Sequence, residues 1–281
     1  MMTSYGTLLG ICLMLLASTA YNSGVVLRAA AVRNAPPRET TAIRRWLSGS
    51  VSILLMVVGW GLEFSALLFI PLTLARVLNV AGLAVLAELS RRLLHEPLGR
   101  RELYALLMIA VGIAGVSIAP PELGTASVSS QQWLVLLLIL GAATLGLLAF
   151  RGRGRRRVAF WSMSAGMGYA LSGILTKGAA DALSSGDILS LSVLTAGVGL
   201  AGLAGFLIEV AAIREYPVSI VAPIVLAIQT LVPIAVAPIF FHEYWPSGMI
   251  IRTVLASGIL LMLAGALALG SHQSPKLVAD Q

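Results

Sequence analysis

Nine apolar runs, at residues 5–31, 46–68, 70–89, 103–119, 133–150, 158–182, 188–213, 217–241 and 249–269, take up most of this 281-residue chain. Each is close to the ~20 residues a helix needs to cross the hydrocarbon of a bilayer. Helix is the form such runs take there, because every backbone N–H and C=O has to be bonded within the segment. Charged residues make up 11% of the chain and hydrophobic ones 58%, against about 25% charged in an average soluble domain. A soluble fold of this composition could not cover its own surface, so the expectation is an all-α integral membrane protein of nine transmembrane helices. Pro71 and Pro217 divide the second run from the third and the seventh from the eighth, since proline suits the first turn of a helix and disfavours its middle. The small residues around Ala17 and Ala20 resemble a signal-peptide cleavage site, yet no Lys or Arg precedes the run. A signal peptide normally opens with such charges, so the first run is read as retained.

The chain also repeats itself. EFSALLFIPLTLARVLNVAGLAVLAELSRRLLHE, from Glu63 to Glu96, has a second copy in EVAAIREYPVSIVAPIVLAIQTLVPIAVAPIFFHE, from Glu209 to Glu243. Both copies open on a carboxylate, reach a proline eight residues later and end on His-Glu, at His95-Glu96 and His242-Glu243. Glu209 lies 146 residues after Glu63, and Ser172-Gly173 lies 149 residues after Ser23-Gly24. The reading is two four-helix repeats, 1–122 and 158–281, with a linker helix and basic loop at 123–157. Five helices separate the start of one repeat from the start of the next, so the halves are inverted. An internal repeat of this kind points to a transporter with its site where the halves meet.

Lys and Arg fix the orientation, because cytoplasmic loops are enriched in them. Sixteen fall on one side, five of them between Arg151 and Arg157, and Arg252 alone on the other, with Arg76 and Lys177 inside spans. The N-terminus is expected outside and the C-terminus in the cytoplasm, in a bacterial inner or plasma membrane. The run at Arg151 to Arg157 is then a topology signal beside lipid headgroups, and no nucleic-acid partner is expected. Cys12 is the one cysteine, so no intrachain disulfide can form. No Gly-rich phosphate loop, acid pair or Ser/His/Asp set stands at loop positions, so neither an enzyme nor a cofactor is expected.

Charges inside a span cost several kcal/mol unless paired or hydrated. Glu63 and Arg76 flank the turn at Pro71 and both lie within roughly 10 Å of it, so they can pair. The pair is either structural or a site, with Arg76 on an anionic group or Glu63 on a cation or proton. Glu209 corresponds to Glu63 in the repeat. Asn22, Asn79 and Gln229 are polar groups at helix depth that bind solute or bond across helices. Lys177 either joins the site or extends to the headgroups, and Glu88 is expected to pair with Arg91 or Arg92. Small residues at Gly166, Gly168 and Gly197 to Gly205 serve close packing, or are where the halves slide.

A four-helix repeat with a Pro-led helix ending in Glu and a glycine-containing last helix (Gly112, Gly115; Gly258, Gly265) resembles the drug/metabolite (EamA-like) transporter superfamily. Trp46-Leu47, Met56 to Gly59, Phe64 to Ala66, Phe69 to Pro71, Ala119 to Glu122 and Ser219 to Pro223 are similar to its NIPA-type branch. That resemblance implies magnesium transport; the metal ligands are not assigned by it, and Glu63 would meet a cation if one is carried. The branch has Gly-Glu and Asn-Phe in its second helix where this chain has Gly59-Trp60 and Glu63-Phe64. Arg76 also repels a divalent cation unless a carboxylate neutralises it. The expectation is a secondary transporter of a small polar or charged solute working by alternating access, with a homodimer allowed. Magnesium transport, movement of a lipid-linked substrate and a non-transporting membrane scaffold are the alternatives.

Overall fold

The computed structural model describes residues 4–33, 42–93, 100–118, 121, 128–149, 155–215 and 218–270. Its elements are helices: α1 (Ser4–Arg33), α2 (Ala42–Leu67), α3 (Leu72–Val80), α4 (Gly82–Leu93), α5 (Arg100–Ile118), α6 (Ser130–Ala149), α7 (Arg155–Ser185), α8 (Ile188–Glu215), α9 (Val218–Phe240) and α10 (Met249–Gly270). The chain is all-α, as its composition requires.

The predicted run at 70–89 is divided at Ala81 into α3 and α4. The Ser18 hydroxyl of α1 donates to the Asn79 carbonyl at 2.7 Å, occupying an acceptor in the helical ladder. A side chain inserted there is an established cause of helix interruption. The chain presses so close to α1 at Gly82 that a Cβ there would stand 2.1 Å from Ser18 Oγ and Asn22 Nδ2.

The central element is α3. Every residue from Leu72 to Val80 is buried except Asn79, which is half-buried. Around it, α1 packs along α2 and reaches α3 and α4, while α7 packs along α8 and α9; α3 meets α9, α2 meets α7 and α5 meets α10. The α5–α10 contact runs through glycine: a Cβ on Gly112 would stand 2.6 Å from the Gly258 carbonyl. Gly168 and Gly205 bring α7 and α8 together in the same way. Both fall within residues 158–281, and the contact they form is between consecutive helices. Between α7 and α8, Gly186 takes a left-handed φ of 75°. Asp187 then caps α8 by accepting from the Ser190 N–H at 3.0 Å, and the Ser190 hydroxyl and N–H hold the exposed Asp187 carboxyl below its ordinary pKa.

The distribution of polarity is inverted relative to a soluble protein. Along α6 the described buried residues are Leu136, Leu140 and Thr144, while Leu138 is 62% and Leu145 67% exposed. Glu63, Arg76 and Lys177 are each 5% exposed. Charges inside and leucines outside suit an apolar solvent. Tyr5–Gly24, Ser130–Ala149 and Ile188–Ala212 are long and apolar enough to cross a membrane, and Leu54–Leu67, Leu103–Val116, Ile224–Phe240 and Met249–Gly265 are shorter apolar stretches. These features indicate a membrane-associated protein.

Candidate functional site

Pro71 turns the chain between α2 and α3 and so faces Glu63 toward Arg76. Arg76 Nη2 donates to Glu63 Oε1, and the Tyr21 hydroxyl of α1 donates to Glu63 Oε2 at 2.9 Å. Both carboxylate oxygens are therefore engaged. Two glycines make the room. At Gly59 a Cβ would stand 2.9 Å from the Tyr21 ring, and at Gly173 of α7 one would stand 2.1 Å from Arg76 Nη2. The guanidinium is thus seated against Gly173 of α7.

The cluster holds more donors than it uses. Among the described residues Arg76 Nε is buried without a hydrogen-bond partner, and so is Trp60 Nε1, one turn before Glu63 on α2. An unpartnered buried donor costs about 1–3 kcal/mol. A ligand carrying acceptor oxygens would relieve that cost.

The other sequence candidates divide by position. Asn22 Nδ2 donates to the Ser18 carbonyl at 2.8 Å, and Asn79, one turn beyond Arg76, accepts the Ser18 hydroxyl through its main-chain oxygen. Both thus stand beside the Arg76 cluster at the α3–α4 break. Glu209 accepts from the Tyr169 hydroxyl at 2.7 Å, which mirrors Tyr21–Glu63 in the second repeat. The position 146 residues beyond Arg76 is Ala222, so the mirror lacks the arginine. Gln229 is half-buried on α9, next to the Val225–Ile228 face that packs on Gly166.

Lys177 points inward. Its Nζ bonds Asp181 Oδ1 at 2.6 Å and the Leu67 carbonyl at the end of α2 at 3.3 Å. The headgroup alternative for Lys177 is corrected by this inward burial. Glu88 pairs with Arg92 at 2.5 Å, the local bridge its spacing implies.

His242-Glu243, read from sequence as a helix-end marker, does more than that. His242 takes a left-handed φ of 51° and turns Glu243 inward, where it is 2% exposed. Its carboxylate accepts from the Leu72 N–H, from the Thr73 N–H at 3.1 Å and from the Thr73 hydroxyl at 2.7 Å. It therefore supplies the N-terminal cap of α3, whose own N-cap residue, Pro71, makes no side-chain cap bond. Burial pushes the Glu243 carboxyl above its ordinary pKa, while the Thr73 and Leu72 donors and the charge of Lys177 pull it back. His95, Glu96, Arg151, Arg153 and the C-terminal tail lie outside the described residues.

Tyr21, Thr73, Gly173 and Asp181 were not among the sequence candidates. Tyr21 and Tyr169 recur 148 residues apart, a signal the repeat contained. No family model, curated protein or solved structure matches the chain.

Proposed function

We propose that this chain is a secondary transporter of the drug/metabolite type. It crosses the membrane nine times as two inverted four-helix halves and carries a small anionic or zwitterionic solute by alternating access. The observation that carries the reading is the Arg76 guanidinium, buried against Gly173, bonded to Glu63 and left with an unpartnered Nε. A carboxylate or phosphate on the solute competes with Glu63 for Arg76.

Support for a moving interface comes from the opposite-half contacts at one end. Lys177 bonds Leu67, and Glu243 bonds Leu72 and Thr73. Alternating access requires these ties to break. Magnesium is the second reading, carried by the family resemblance together with the carboxylate at Glu63. In this geometry a cation would have to displace Arg76 from that carboxylate.

The test is the thermal midpoint of the purified protein against Mg²⁺, other divalent ions, amino acids and phosphorylated metabolites at two pH values. A ligand of the native state raises the midpoint by mass action. A rise with an anionic or zwitterionic metabolite, lost in Arg76→Met, is the expected result. A rise with Mg²⁺ alone, lost in Glu63→Gln, overturns it in favour of the ion. No rise with any of them favours a lipid-linked substrate or a scaffold.

A further inference from the structure

A groove of about 600 Å³ runs along α10 and the turn before it, lined by Trp245, Met249, Arg252, Thr253, Ala256, Ser257 and Leu260. Its two ends differ chemically. At one end Arg252 is exposed; its Nε is held by the Pro246 carbonyl at 3.1 Å, which fixes the guanidinium while its Nη groups remain available. Among the described residues no carboxylate pairs with it. Trp245 Nε1, in the same lining, is buried and has no partner among the described residues. The accessible donor at this end is therefore Arg252, since the Trp245 N–H lies beneath the surface. Away from this end the groove is floored by Ala256 and walled by Leu260, which is 67% exposed.

From Met249 to Leu260 the helix rises about 16 Å, close to the depth of one leaflet of a ~30 Å hydrocarbon core. An exposed, anchored cation at the interface, with an apolar trough one leaflet deep, matches one ligand: a glycerophospholipid. We infer that this groove binds a phospholipid, its phosphate diester on Arg252 and an acyl chain along Ala256 and Leu260. The inference rests on the membrane reading and is independent of what the Arg76 cluster carries.

The test is native mass spectrometry of the full chain released from detergent. It is titrated with phosphatidylglycerol, phosphatidylcholine and diacylglycerol of the same chains, or with inorganic phosphate. One phosphatidylglycerol or phosphatidylcholine is expected to remain bound per chain, and diacylglycerol is not. Arg252→Gln is expected to weaken retention about fivefold or more. Equal retention of diacylglycerol overturns the inference, as does unchanged retention in Arg252→Gln or competition by inorganic phosphate at lipid-like concentration. Release of the chain from membranes by alkaline carbonate would refute the membrane reading itself, a separate result.

Discussion

Glu63 and Arg76 are each tolerable in an apolar interior only because the other is there. Removing one partner strands a buried charge, which costs about 3–5 kcal/mol. Glu63→Gln and Arg76→Met are each expected to lower the thermal midpoint sharply, and the double variant to lose much less than the sum. Simple additivity in that cycle would show that the pair is not coupled. Gly173→Ala offers a second check: its Cβ would fall 2.1 Å from Arg76 Nη2, an overpacking cost of about 1–3 kcal/mol. Gly61→Ala is the control, since nothing lies within 4 Å of its Cβ and alanine favours helix by about 0.5–1 kcal/mol. The pair itself was legible in the sequence, because thirteen residues around one proline limit how far apart two charges can be. Tyr21 was not, because its reach to Glu63 depends on the α1–α2 register that Gly59 permits.

The elements are joined by ties that come from far along the chain. Glu243 caps α3 from 171 residues away, and Ser18 interrupts the α3–α4 run from 61 residues away. Hydropathy located the run at 70–89 but not its interruption at Ala81, since the cause lies on another helix. Glu243→Ala leaves two buried N–H groups of α3 without acceptors. It is expected to cost about 2–4 kcal/mol, with Glu243→Gln milder because one oxygen acceptor remains. A midpoint unchanged in Glu243→Ala would show that the cap contributes nothing. The pH dependence has a definite sign. Burial raises the Glu243 pKa on folding, so the folded chain binds that proton more tightly than the unfolded one. Stability linked to this group is therefore full below the ordinary glutamate range. It falls as pH rises from there through the raised value, and Glu243→Gln is expected to flatten that slope.

At the scale of the whole molecule, α1 packs with α2 and with α3–α4, and α7 with α8 and with α9. The sequence correspondence between the two His-Glu-ended segments remains a reading of the residues. It is imperfect where chemistry is concentrated, since Arg76 has Ala222 as its mate. We read that asymmetry as the place where one half supplies the solute's counter-charge. The proposed nine-span topology rests on composition and on the arginine distribution; among the described residues three helices satisfy length and apolarity by themselves. The measurement that tests the account most directly is solute flux in proteoliposomes. It would use the solute that raises the thermal midpoint and compare the wild type with the charge-free double variant Glu63→Gln/Arg76→Met. The account predicts saturable uptake by the wild type and none above empty liposomes by a folded double variant. Equal flux in the two would contradict it and leave the buried pair as a packing element alone.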